Sequence, residues 1–154
     1  MEVKTGYLYH IKDDFFNLVN DENLMSNHER GKKRPTYFTI KDKDILWFIP
    51  LSSKVDKYQK IIDKKIEKFG RCDTILIREI GNKKNAILLQ NAFPTLEKYI
   101  DHVHIVNGAP VKVGSLLKEE ILNKFIDLMK LKNKGINLFF TDIDKIRKII
   151  ENDK

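Results

Sequence analysis

The chain has 154 residues and a mass of 18.1 kDa, the size of one ordinary domain, and 42% of its residues are hydrophobic, enough to build a core. No apolar run approaches the ~18 residues of a membrane span, and no apolar stretch follows Met1-Glu2-Val3-Lys4-Thr5, so neither a span nor a secretory signal is expected. A single cysteine, Cys72, excludes an intramolecular disulfide framework and a Cys-rich zinc site, and a reducing cytoplasm is the compartment that suits it.

Gly6 to Ile11 is aromatic and β-branched and predicts a strand. Asp13 and Asp14 then precede Phe15, Phe16, Leu18 and Val19, a short helix with acids in its first turn. Asn20 to Lys33 is polar and predicts a surface loop. Pro35 to Ile40 and Ile45 to Leu51 form a hairpin across Lys41-Asp42-Lys43-Asp44; the second strand is almost wholly apolar, predicting a central, buried position ending at Pro50. Val55, Tyr58, Ile61, Ile62, Ile66 and Phe69 recur at helical spacing up to Gly70, opposite a lysine-rich side.

A second hairpin is expected from Thr74 to Ile80 and Ala86 to Leu89 across Gly81 to Asn85. Phe93-Pro94-Thr95 predicts a turn or short helix, and His102 to Val106 with Val111 to Val113 predict short extended pieces around Asn107-Gly108. Ser115 suits an N-cap for a helix over Leu116 to Lys132, buried through Leu117, Ile121, Leu122, Phe125, Leu128 and Met129. Ile136 to Phe140 predicts a short strand, and Thr141 with Asp144 matches a capping box for a last helix to about Glu151. With no repeat or linker, residues 1–154 predict a single α+β domain: a compact, twisted antiparallel sheet, barrel-like, surrounded by helices.

The net charge is +7, from 29 Lys and Arg against 22 Asp and Glu. An AT-rich genome is one source, given 24 Lys, 20 Ile and 12 Asn; an anionic partner is the other. Between His28 and Lys84, 16 basic and 8 acidic residues leave +8, so the rest of the chain nets −1. Codon usage would act on the whole chain, and this concentration favours a basic surface for nucleic-acid phosphates.

The antiparallel hairpin brings Lys32, Lys33 and Arg34 beside Ser52, Ser53 and Lys54, where hydroxyls, cations and a helix start can hold a phosphate. Ser53-x-x-Asp56 is equally a capping box, and the basic run equally a solvated loop. His28 is a candidate proton carrier in a polar loop. His102 and His104 share a strand face but lack the further ligands of a metal site. Tyr7, Tyr9, Tyr37, Phe38 and Trp47 have rings suited to stacking on bases, or equally to a core. No phosphate-binding glycine loop, dinucleotide fingerprint, zincin motif or nucleophile elbow is present, and Cys72 lies at a helix end that does not favour its thiolate.

The aromatic opening strand, Arg34-Pro35-Thr36-Tyr37-Phe38, and Ile49-Pro50-Leu51-Ser52-Ser53-Lys54 leading to Lys57-Tyr58 resemble the ToxN/AbiQ family, most of all its CptN-like branch, over essentially the whole chain. These are endoribonuclease toxins of bacterial type III toxin-antitoxin systems. The resemblance implies metal-independent RNA cleavage without a cofactor, acting on cellular RNA. It also implies inhibition by a small structured antitoxin RNA, a pseudoknot repeat, in a higher-order protein–RNA assembly away from membranes.

By position, Ser53 corresponds to the family's functional Ser/Thr and Ser52 to the hydroxyl before it, with Lys33 or Arg34 near the upstream basic residue. The downstream lysine falls where this chain has Val55, flanked by Lys54 and Lys57. Expected catalytic residues are therefore Ser53, Lys54, Ser52, Lys33, Arg34 and His28; expected RNA contacts are Arg30, Lys32, Tyr37, Lys57, Lys60, Lys64 and Arg78.

Overall fold

A computed structural model describes residues 2–154; Met1 lies outside them. Strands and helices follow in the order β1 (Leu8–Ile11), α1 (Asp13–Val19), β2 (His28–Glu29), β3 (Lys32–Lys33), β4 (Thr36–Asp42), β5 (Ile45–Ser52), α2 (Val55–Phe69), β6 (Leu76–Ile80), β7 (Lys83–Ile87), β8 (Phe93–Leu96), β9 (Ile100–Val103), β10 (Ile105–Val106), β11 (Ala109–Pro110), α3 (Ser115–Asn133) and α4 (Ile143–Glu151).

The apolar run of β5 is buried at every position because it has neighbours along both edges. On one side it pairs with β4; on the other it pairs first with β8, through Ile45–Phe48, and then with β7, through Leu51 and Ser52. Pro50 lies where β8 hands over to β7, the place where a missing N–H does least harm, and its carbonyl accepts from the Leu88 N–H at 3.0 Å. The strand therefore continues through Pro50 to Ser52 instead of stopping there, and carries the first serine into the site.

The main sheet runs β6-β7-β5-β4-β1-β9, with β8 beside β5 and every pairing antiparallel. This is the expected α+β architecture, but the sheet forks at β5 and stays open, so it does not close into a barrel. Phe15, Phe38, Phe48 and Phe93, all 1% exposed or less, form the centre of the main core. Rings at 5.3 Å (Phe38–Phe48 and Phe15–Phe93) and 6.2 Å (Phe48–Phe93) stack there, a geometry that adds to simple area burial. Helix α3 sets Ile121, Phe125 and Leu128 into this core, and α4 adds Ile143, Ile146 and Ile150. Helix α2 covers a smaller cluster of Tyr58, Ile75, Ala86 and Leu88; its expected apolar stripe runs off the end of that cluster, leaving Ile66 48% and Phe69 66% exposed.

Several local expectations change. Phe93–Leu96 is a strand, because pairing to β5 overrides the turn tendency of its proline. Among the described residues Ile136 to Phe140 has no strand partner; it is a connection tied to the 3-10 turn Leu89–Asn91 by the Phe140 N–H, which donates to the Gln90 carbonyl at 2.7 Å. Gly114, not Ser115, caps α3. Asp142, not Thr141, caps α4, accepting from the Lys145 N–H, while the Thr141 hydroxyl donates to the Ala92 carbonyl. The second hairpin turns tightly through Gly81 and Asn82, both at positive φ, so β7 already begins at Lys83.

Candidate active site

The loop expected from Asn20 to Lys33 contains a two-residue ladder, His28–Glu29 against Lys32–Lys33, turning through Arg30 and Gly31 at φ 54° and 77°. This small hairpin delivers Glu29 to the end of β5. The Glu29 carboxylate accepts from the Ser53 hydroxyl at 2.6 Å, the Ser53 N–H at 3.0 Å, the Ser52 hydroxyl at 2.7 Å and the Arg34 guanidinium at 2.9 Å. Burial alone would raise this carboxyl, but the bonds from Ser53 and Ser52 and the charge of Arg34 hold it at about 2.

Arg34 is brought to the serines as expected, but as a buried structural cation: it also donates to the carbonyls of Ser26 and Leu51, both at 2.8 Å. Ser53 does not cap α2. Lys54 occupies the cap position, no side chain caps there, and the Ser53 hydroxyl is spent on Glu29. The Ser52 hydroxyl donates to Glu29 and accepts from the Lys54 N–H at 3.1 Å. A hydroxyl has one proton, so with both hydroxyls donating to Glu29 each serine acts towards any other group only as an acceptor, and the buried Ser52 already accepts from Lys54.

Ser52 and Ser53 border a cleft of about 570 Å³ whose wall also includes Lys32, Lys33, Lys83, Asn85 and His104. Across Ser53 lies a shallower groove of about 340 Å³ formed with Arg30, Lys54 and Lys57; Ser53 and Arg30 border both spaces. Among the described residues, Arg30, Lys32, Lys54, Lys57 and Lys83 form no ion pair, so they are free to meet an anion.

Other expected residues fall elsewhere. His28 turns away from the cleft to bond Asp13 at 2.9 Å and lines a separate hollow with Asp21, Glu22 and Asp142. Lys33 reaches the cleft but bonds Asp101 at 2.8 Å, which raises its pKa and keeps it charged. Tyr37 is 1% exposed and belongs to the core, so it cannot stack on a base; burial pushes its hydroxyl to about 12. Arg78 is held by both oxygens of Glu120 at 2.7 and 3.0 Å. Lys60 and Lys64 are exposed on α2 but line neither the cleft nor the groove.

Two features escaped the sequence reading. Glu29 is the acid inside a basic run, and that placement was its only local signal. His10 sits on β1 opposite His102 on β9, so its ring stacks on His102 at 4.7 Å, and its Nε2 lies 2.8 Å from Nδ1 of His104, 94 residues away. Burial, then the charges of His104, His102 and Lys33, bring His10 down to about 4, against the pull of Asp101. Among the described residues, no three His, Cys, Asp or Glu side chains are arranged to hold a metal ion, and no helix is long and apolar enough to cross a membrane.

The class these features define is a basic α+β fold with a cation-lined cleft at the end of its central strand. A solved structure with this fold is AbiQ, a lactococcal anti-phage endoribonuclease belonging to the type III toxin-antitoxin system. The two superpose with a TM-score of 0.68 at 13% identity, over 97% of this chain and 96% of that one. No family model matches the sequence, and no curated protein matches it.

Proposed function

We propose that this chain is an endoribonuclease toxin of the type III toxin-antitoxin kind, acting as one domain over residues 1–154. The reading rests chiefly on one observation: Ser53 and Arg30 stand at the junction of two cation-lined spaces, in a fold shared with an endoribonuclease. An RNA strand lying across Ser53 puts its phosphates among Lys32, Lys83, Arg30, Lys54 and Lys57. In the proposed metal-independent reaction the ribose 2′-oxygen attacks the adjacent phosphorus and the P–O5′ bond breaks, leaving a 2′,3′-cyclic phosphate and a 5′-OH. Negative charge grows on the phosphorane, and preplaced cations in a partly desolvated cleft stabilise it.

Lys33, kept charged by Asp101, serves this electrostatic part. A small structured antitoxin RNA, a pseudoknot repeat processed by the protein, would occupy the same spaces in a cytoplasmic protein–RNA assembly and so silence the toxin. Incubating the purified chain with RNA in EDTA tests the reading. Discrete fragments with cyclic phosphate and 5′-OH ends support it; intact RNA, or cleavage only with Mg²⁺, overturns it.

The bond network of Glu29 favours one second reading, a non-catalytic RNA-binding module using the same basic face, because both serine hydroxyls already have a structural partner. Expression of the wild type and Ser53→Ala in bacteria separates the two. Growth arrest by the wild type alone supports catalysis, whereas equal arrest by both supports binding.

A further inference from the structure

We propose that His104 is the catalytic proton acceptor of the cleft and His10 its positioning residue. The inference rests on the RNA-cleavage reading above and supplies what that reading lacks. His28 faces another hollow, Lys33 is held as a cation by Asp101, and the Glu29 carboxylate is occupied by its serine and arginine donors.

His104 follows β9 and is fixed at both backbone groups: its N–H donates to the Leu8 carbonyl at 2.8 Å, and its carbonyl accepts from the Val111 N–H at 2.9 Å. Its ring is fixed through Nδ1 by His10, while Nε2 has no intramolecular partner among the described residues and the side chain borders the cleft shared with Ser52 and Ser53. One ring nitrogen held and the other open is the arrangement a general base needs.

In the accepting form, His104 Nδ1–H donates to His10 Nε2, the proton of neutral His10 sits on its buried, unpartnered Nδ1, and His104 Nε2 presents its lone pair to the 2′-OH. That proton passes to Nε2, the 2′-oxygen forms its bond to phosphorus, and the electron pair of the breaking P–O5′ bond leaves with the 5′-oxygen, which takes a proton from water. The resulting imidazolium then returns its proton to solvent. The groups acting on this ring are His10 on β1, which it contacts, His102 on β9 and Lys83 on β7, while Lys33 on β3 and Asp101 on β9 act on His10 behind it. Burial, then His102 and Lys83, lower the His104 pKa, so the ring is mainly neutral at pH 7.

The test is the pH dependence of single-turnover cleavage of a short RNA by the full chain. Wild type is expected to show an acid limb with its midpoint below the ordinary 6.5 of histidine. His104→Gln is expected to lose about 10²- to 10⁴-fold in rate and the limb itself, with RNA affinity unchanged within about threefold. His10→Phe removes the acceptor of the charged ring and moves the limb to lower pH; His102→Asn removes a neighbouring charge and moves it to higher pH. In the folded wild type, an uncleavable 2′-deoxy analogue of the same oligonucleotide is expected to shift the His104 Nε2 NMR signal. Retention of rate and limb in His104→Gln, or an unmoved Nε2 signal, overturns this inference while leaving the cleavage reading standing. Failure of the wild type to cleave any RNA overturns both.

Discussion

Glu29 and Ser53 are joined twice through a single oxygen: Oε1 accepts from the Ser53 hydroxyl at 2.6 Å and from the Ser53 N–H at 3.0 Å. A two-residue hairpin is thereby locked to the last turn of backbone before α2. With Arg34 on the other carboxylate oxygen, the pair anchors the loop that forms one wall of the cleft.

Loss of Arg34 is expected to loosen this anchor. Its side chain is 7% exposed and serves one carboxylate oxygen and two carbonyls, a set of acceptors that a single ammonium on a shorter stem cannot reach together. Arg34→Lys is expected to lower unfolding free energy by about 2 kcal/mol, and Arg34→Met by about 3 kcal/mol because Glu29 is left without its cation. Urea melts followed by tryptophan fluorescence measure both, and a change below about 0.5 kcal/mol would contradict the anchoring role.

Acid should destabilise the fold in two windows. His10 has a folded pKa lowered to about 4 from 6.5, so the folded state binds fewer protons than the unfolded one; its stabilisation is present above 6.5 and lost as pH falls towards 4. Glu29, lowered from 4.5 to about 2, contributes above 4.5 and is lost as pH falls through 2. Each shift corresponds to at most about 3 kcal/mol. His10→Phe should flatten the upper window and Glu29→Gln the lower one in unfolding curves taken from pH 7 to 2.

Free and engaged cations should behave differently towards RNA. Lys32→Ala and Lys83→Ala each remove an unpaired charge from the cleft wall and should reduce the slope of log affinity against log salt by about 0.7 for a single strand. Arg78→Ala removes a cation already neutralised by Glu120 and should leave the slope unchanged. Fluorescence anisotropy between 50 and 300 mM salt reads both.

The two ends of α2 should differ in their tolerance of substitution. Tyr58 is 6% exposed in the smaller cluster, and Tyr58→Ala is expected to cost about 3 kcal/mol. Phe69→Ser, at a position 66% exposed, should change stability by less than about 0.5 kcal/mol. Thermal melts of the two variants decide this.

Local signals made much of the molecule legible. The apolar run Ile45–Ile49 specified a buried central strand, because only a strand with neighbours on both edges and both faces can hide five such side chains in succession. Hairpin pairing of β4 with β5 correctly joined Arg34 to the serines, since two nearby strands leave little choice of register. Element ends were read less well. Ser115, Thr141 and Ser53 all have cap-forming side chains, yet Gly114, Asp142 and Lys54 hold the cap positions, because two of those hydroxyls and the chain path are claimed by partners distant in sequence.

What the sequence by itself determined is the +7 charge with its concentration between His28 and Lys84, the α+β alternation, and the serine pair at the end of β5. Those properties follow from composition and short-range periodicity. Only the tertiary structure decided that the sheet forks at β5, that Glu29 accepts from both serine hydroxyls, that Tyr37 and Arg34 are buried, and that His10 meets His104 beside the cleft. The physical reason is the same in each case. Strand pairing such as β1 with β9 brings together residues some ninety positions apart, and hydrogen-bond satisfaction of buried groups then selects their partners without regard to sequence distance.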